Sequence, residues 1–311
     1  MKNLKIAAIL LILAIVGFFY IYIPNTLKVS TFKVSNAYEL TATRLLADAN
    51  LLPKSIGENY DSSNHKLTVN GIEFVIKPAL SNLVEIDIAS KNIKAKSFIT
   101  ANGVTKQTTA INWFFEYNTT LNPIQRLKDY QEAIAIKNTT AQILNHISAF
   151  LEEPKYIYGY DIKEVTLKDT ILITTKFISK GLPTNTQIYA QADALTKYLT
   201  GFGKVAINNP MITVLENPTN DYTIMVGISI NGEIPQTENY RIKRMPVNGK
   251  MFVTDATGGT QSIQNGYAAL KNFLLDSKRP SPAVPFELLL NDRKQVTDSA
   301  QWKTRIYYPV M

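Results

Sequence analysis

The sequence predicts an α+β chain with antiparallel sheets, made of two folded units behind an amino-terminal transmembrane helix. Three observations carry this. Residues 6–23 form an apolar run without a charge. Segments of period-two character between residues 28 and 117 give way to one long stretch of helical spacing. The part after Gly159 matches itself when shifted by 75 residues. A length of 311 residues suits two domains of roughly 100–200 residues each. With 45% hydrophobic and 19% charged residues, each half has enough apolar material for a core of its own.

Composition narrows the chemistry. The chain has no cysteine, which excludes disulfides, thiolate nucleophiles, iron–sulfur clusters and thiolate zinc sites. Two histidines, His65 and His146, are too few for a multi-histidine metal centre, and no cofactor or metal is expected. The net charge of +8 suits an anionic surface, but the basic residues are scattered. Arg241, Lys243 and Arg244 cluster on one strand and read as a solvated edge, so nucleic acid is not an expected partner.

Taken in order, residues 1–25 are the expected anchor. The run IAAILLILAIVGFFYIYI would be about 27 Å long as a helix, close to the ~30 Å of a bilayer core. Lys2 and Lys5 precede it, Tyr20 and Tyr22 sit at its far end, and Pro24-Asn25 stops it. Its exit, FFYIYIP, has no small-residue cleavage pattern, which favours an uncleaved single-pass anchor over a signal peptide. The amino-terminal lysines favour soluble units on the periplasmic or other extracytoplasmic side.

The first folded unit, 26–157, begins with a short strand over Val29–Val34 and helical spacing over Ala37–Ala49. Strand-like runs follow at Lys66–Ile76, Leu83–Ala89, Ile93–Thr100 and Thr108–Tyr117, with turn signals at Asn70-Gly71 and Asn102-Gly103. Asn122-Pro123 then provides an N-cap and a first-turn proline. Ile124, Leu127, Ile134, Ile143, Ile147 and Leu151 continue on one helical face until Glu153-Pro154. The tail of this unit resembles the START-like superfamily, also called SRPBCC. Its marks are Trp113 in the last strand, Asn122-Pro123 and Arg126 opening the helix, and Tyr158-Gly159 after it. The resemblance implies a helix-grip fold with a hydrophobic cavity between helix and sheet.

The third part, 158–311, is a duplicated strand-strand-helix-strand-strand unit. Copy one runs Ile162–Lys168, Ile171–Ser179, Thr186–Tyr198, Met211–Glu216 and Tyr222–Ile230. Copy two runs Tyr240–Pro246, Lys250–Asp255, Ser262–Leu275, Pro285–Leu290 and Trp302–Val310. In register, Pro210-Met211-Ile212 falls on Pro285-Phe286-Glu287. A lone carboxylate in such an apolar strand either points to solvent on the polar face of the strand or, if buried, needs a cation or a hydrogen-bond donor. Neither copy can bury both faces alone, so the two close into one α+β domain with helices on antiparallel sheets.

Copy two and its end, PFELLLND followed by WKTRIYYPV, resemble the GyrI-like small-molecule-binding domain, the effector-binding module of BmrR-type regulators. The matching residues are Glu287 in the penultimate strand and Thr304, Ile306, Pro309 and Val310 in the last. The resemblance implies that Glu287 lies at the floor of an aromatic-lined cavity between the copies. There it faces a hydrophobic ligand that can be cationic, with Tyr267, Tyr189, Tyr240, Phe273 and Trp302 as candidate ligand contacts. The leading reading is a membrane-anchored binding or sensing protein, with no catalytic residue. The alternative is a hydrolase of small reactive electrophiles, with Glu287 as acid or base and Tyr267 as its partner. A third reading is a structural role with an unknown protein partner.

Overall fold

The computed structural model describes residues 2–57, 60–80, 82–167, 171–246 and 248–311. It is mixed α+β with two antiparallel sheets, and it divides into two units, Met1–Glu153 and Pro154–Met311.

The first unit opens with helix α1 (Lys2–Tyr22). Among the described residues no helix is long and apolar enough to cross a membrane, so the structure does not support the expected anchor. The side chains of residues 8, 12, 15 and 19 in that segment lie outside the described residues. Strand β1 (Thr26–Ser35), helices α2 (Glu39–Ala47) and α3 (Leu51–Ile56), and strands β2 (Tyr60–Asp61) to β7 follow. The remaining strands are β3 (Lys66–Val69), β4 (Ile72–Ile76), β5 (Leu83–Ala89), β6 (Lys94–Gly103) and β7 (Thr109–Asn118). Helix α4 (Pro123–Leu151) closes the unit.

The sheet is a meander in the order β1-β7-β6-β5-β4-β3-β2, with the first strand returned beside the last. Period-two patterning decides its buried face. Ile111, Trp113 and Phe115 of β7 alternate with exposed or half-buried neighbours. Trp113 packs edge-on against Phe74 at 5.5 Å, and its indole N–H donates to Ser97 Oγ at 2.9 Å. Burying a ring of this size contributes about 2–3 kcal/mol, and the satisfied N–H removes the usual cost.

The run Lys66–Ile76 proves to be two strands, because Asn70 (φ 52°) and Gly71 (φ 75°) take the left-handed conformations of a tight hairpin. Asn102-Gly103 is not the turn expected of it. Strand β6 stays paired as far as Gly103 opposite Thr109, and the reversal falls at 104–107, closed by Val104 N–H to Thr108 O at 2.9 Å. Gly103 instead makes room for α2, since a Cβ there would lie 3.2 Å from Glu39 Oε2.

Helix α4 starts where its cap residues place it. Asn122 Oδ1 accepts from the N–H groups of Ile124 and Gln125 at 3.0 and 3.2 Å. Arg126, 1% exposed, turns back to the chain entering β1. Its Nε donates to Ile23 O at 2.9 Å and its Nη2 to Asn25 Oδ1 at 2.9 Å, while its face lies over the Tyr20 ring.

The second unit contains α5 (Pro154–Tyr158), β8 (Lys163–Thr166), β9 (Ile171–Ser179), α6 (Asn185–Thr200), β10 (Met211–Glu216) and β11 (Tyr222–Ile230). Then come β12 (Arg241–Arg244), β13 (Lys250–Thr257), α7 (Thr260–Asp276), β14 (Phe286–Leu289) and β15 (Lys303–Val310). Lys168, at the end of the first expected strand, lies outside the described residues.

The eight strands form one sheet in the order β12-β9-β11-β10-β14-β15-β13-β8. Exchanging each strand for its twin in the other copy reverses this order without changing it. The sheet therefore has a pseudo-two-fold axis, and the axis passes through the pairing of β10 with β14. Each copy also lends its first strand to the other, β8 pairing with β13 and β12 with β9. Helix α6 packs on its own half through Ile188, Ala192, Leu195 and Leu199. Helix α7 does so through Ile263, Ala269, Leu270 and Leu274.

Asn122→Ala should lower the stability of the full chain by about 1 kcal/mol, because two helix N–H groups lose their acceptor. Urea unfolding followed by circular dichroism measures it, and an unchanged midpoint would show that the cap is dispensable.

Candidate functional site

The seam of the second unit is short. Met211 pairs with Leu288 and Ile212 with Glu287, so the two residues that the 75-residue repeat makes equivalent face each other across the axis. Directly opposed residues share a face of the sheet, and here that face carries α6 and α7. Between the helices lies a cavity of about 330 Å³ with the Glu287 side chain in its wall.

The two copies contribute unequally. Copy one supplies Ile188 from α6 and Ile212 and Val214 from β10. Copy two supplies Ile263, Gln264 and Tyr267 from α7, with Glu287 and Arg293 beyond. The twin of Tyr267 is Ala192, so the phenol, like the carboxylate, has no counterpart in copy one.

Glu287 is 7% exposed. Its Oε1 accepts from the Tyr267 hydroxyl at 3.3 Å. Burial raises its pKa from the ordinary 4.5 to about 7, against the opposing pull of the Arg293 charge and the Tyr267 hydrogen bond. Burial and the adjacent carboxylate hold the Tyr267 phenol well above its usual range, so it stays a donor.

Arg293, which the sequence reading did not single out, is the second charged group of the cavity. It is 6% exposed and occupies the turn between β14 and β15. Nη2 donates to Thr304 Oγ1 at 2.6 Å, its backbone N–H donates to the Tyr189 hydroxyl at 2.8 Å, and its guanidinium stacks over Trp302 at 4.7 Å. Burial lowers its pKa, while the Glu287 and Tyr189 charges act in the opposite direction. Nε is buried without a hydrogen-bond partner.

Of the six expected ligand contacts, two line the cavity, Glu287 and Tyr267. Tyr189 is buried in the α6 core and reaches the site only through the Arg293 backbone. Trp302 lies under the guanidinium, with its indole N–H donating to Val296 O at 2.8 Å. Tyr240 packs on Tyr198 at 4.6 Å, and Phe273 fits between Phe252 and Tyr158 at 4.8 and 5.4 Å. The expected aromatic lining is therefore mostly aliphatic, with Tyr267 its one ring among the described lining residues.

Two further cavities lack this chemistry. One of about 360 Å³ lies beside Met211, Met225 and Met245, with Lys243 and Arg244 at its rim. The other, about 330 Å³, lies in the first unit beside α2 and α3, next to Leu46, Leu52, Tyr60 and Ile76. Of the described groups of His, Asp and Glu, none is arranged to hold a metal ion.

No family model matches the chain, and no curated protein matches it. Solved structures similar to it include the EcmrR C-terminal domain, at 16% identity and a TM-score of 0.41, spanning 49% of this chain and 98% of that one. SAV2435 bound to tetraphenylphosphonium is similar at 14% identity and a TM-score of 0.32, over 48% of this chain and 93% of that one. A START superfamily protein from Mycobacterium smegmatis is similar at 14% identity and a TM-score of 0.26, over 40% and 94%. Likenesses of this degree leave the chemistry to be argued from the residues.

Glu287 should make stability depend on pH. Below about 4.5 the carboxyl is protonated whether the chain is folded or not, and up to about 7 only the folded chain keeps the proton. The associated stability is therefore full in acid and lost as pH rises through about 7, a change of about 3 kcal/mol. Glu287→Gln removes that dependence. Urea unfolding of both proteins across this range should show wild type losing stability relative to the variant, and parallel curves would contradict a buried, proton-holding carboxyl.

Proposed function

We propose that the Pro154–Met311 unit is a binding or sensing module for a small hydrophobic molecule, held in the cavity over the β10–β14 seam. One observation carries this reading: a buried carboxyl–phenol pair set in a mostly aliphatic cavity of about 330 Å³. A volume at the lower end of the range for small-molecule sites, with few polar groups converging on it, suits a compact ligand oriented by one or two hydrogen bonds. A core packed only for stability gains nothing from a carboxylate there, since burying it costs several kcal/mol without a full set of partners.

The full chain should bind one equivalent of a compact neutral probe, 1-naphthalenemethanol, with a rise in melting temperature. Val214→Trp, which fills the cavity from the β10 side, should abolish both signals. Binding that survives this variant would place the probe elsewhere and remove the basis of the reading.

A second reading rests on the same pair. A carboxyl with a pKa of about 7 beside a phenolic donor has the proton affinity of a general acid or base at neutral pH. On that reading the module opens small strained electrophiles, and Glu287→Gln stops turnover while the neutral probe still binds.

We propose also that residues 6–23 hold the chain at a membrane, with the folded units on the extracytoplasmic side. What supports this is the uncharged run itself and the exposure of Ile6, Ile9, Leu10, Leu11, Leu13 and Phe18. Full-length protein should stay with membranes through alkaline carbonate extraction, and deletion of residues 1–25 should release it. Release of the full-length chain by carbonate would overturn the anchor.

A further inference from the structure

The charge in this cavity is not that of Glu287 alone. Arg293 is a permanent cation in the same wall, and its hydrogen-bonding is unfinished. Of its three guanidinium nitrogens only Nη2 donates to a described protein group, Thr304 Oγ1. Nε is buried and unpartnered. A buried guanidinium N–H without an acceptor is destabilising, and a ligand oxygen can remove that penalty.

Glu287 does not complete it. Among the described residues no ion pair joins the two side chains, and the Glu287 hydrogen bond comes from Tyr267 instead. The surroundings also set the sign. Trp302 lies against the guanidinium, so the ring that could have faced a cationic ligand is taken by the protein's own cation. With Glu287 ionised the cavity is neutral overall; with Glu287 protonated it carries one positive charge. A cationic guest leaves a positive charge uncompensated in the first state and adds a second in the other. An anionic guest balances the charge in the protonated state.

We propose that the cavity selects small hydrophobic carboxylates, with the carboxylate on Arg293 and the apolar body against Ile188, Ile212, Val214 and Ile263. This rests on the binding-module reading and adds the ligand's charge and the residue that reads it. Bidentate guanidinium–carboxylate pairing is directional and is among the strongest hydrogen-bonded contacts available to a buried site. Thr304 and Trp302 position the guanidinium, and the Tyr189 hydroxyl fixes the backbone that carries it.

The test compares three probes of one shape by calorimetry on the full chain at neutral pH: 1-naphthoate, 1-naphthalenemethanol and 1-naphthylmethylammonium. Naphthoate should bind at least about tenfold more tightly than the alcohol, and the ammonium more weakly than either. Arg293→Met should abolish the preference for naphthoate while leaving the alcohol bound, and Arg293→Lys should keep part of it. Thr304→Val, which frees Nη2 without removing the charge, covers the case in which the methionine variant does not fold; it should change naphthoate affinity and leave the alcohol unaffected.

An ammonium that binds as tightly as the carboxylate would overturn the proposal and leave the binding module standing. So would a naphthoate preference that persists in a folded Arg293→Met protein. Failure of all three probes to bind would overturn both.

Discussion

A carboxylate at the join of two repeats is the constraint on which the second unit depends. Strand β10 meets β14 over only a few residues, and Glu287 is in the middle of that contact, directly opposite Ile212. A seam this short holds the two halves together only if the residues on it are well packed, yet one of them is ionisable. The fold meets this demand in three ways. Burial keeps Glu287 protonated for much of the acid range, Tyr267 supplies a donor from α7, and Arg293 brings a compensating charge from the β14–β15 turn. Both side chains come from copy two, and the strands of copy one are left free to be aliphatic.

The exchange of first strands ties that arrangement together. If each copy paired only within itself, the seam would be the one connection across the axis. Because β8 lies on β13 and β12 on β9, each half of the sheet contains a strand from the other copy. Separating the two copies would break those ladders as well as the seam. Thr260, at the start of α7, and Leu182, before α6, stand at the lining of the cavity.

Much of this was legible in the chain. Helix α4 begins and ends where Asn122-Pro123 and Glu153-Pro154 place it, since a cap and a helix-stopping proline act locally and need no tertiary knowledge. The repeat register identified Glu287 as the odd member of a pair, while its burial was implied by the GyrI-like resemblance and not by the apolar run around it. Arg293 was not legible. It follows Asn291-Asp292 in a polar turn, a context in which an arginine normally points to water. Its burial depends on Thr304, Trp302 and Tyr189, which meet it only in the folded chain. The faint signal was Trp302 and Thr304, two residues apart and so on one side of the chain, a ring and a hydroxyl suited to cradle a guanidinium. The other aromatic candidates failed for a different reason. Tyr240 packs on Tyr198 of α6, and Phe273 packs on Phe252 of β13 and Tyr158 of α5, and composition does not distinguish a core ring from a cavity ring. In the first unit, Asn102-Gly103 misled because an Asn-Gly pair can end a strand as well as reverse it.

The asymmetry of the site follows from the symmetry of the sheet. A position on a two-fold axis is its own neighbour: whatever stands at 212 faces whatever stands at 287. Had both copies carried glutamate there, two carboxyls would oppose each other at roughly 4.5–5.5 Å between Cα atoms, in a setting that already resists one charge. One would stay neutral at every physiological pH, and the pair would share a proton across the seam instead of meeting an apolar neighbour. Had both carried isoleucine, the seam would pack well and the cavity would have no carboxyl on its floor. One acidic and one aliphatic twin is the combination that keeps the strands joined and leaves the carboxyl free to face the cavity. The same reasoning extends to the helices above. There Ala192, buried in the α6 core, is the twin of Tyr267, so a phenol stands over the seam from one helix only. The duplicated fold thus provides two matching walls, and the differences between them at two twin positions make a site of what would otherwise be a packed dimer-like interface.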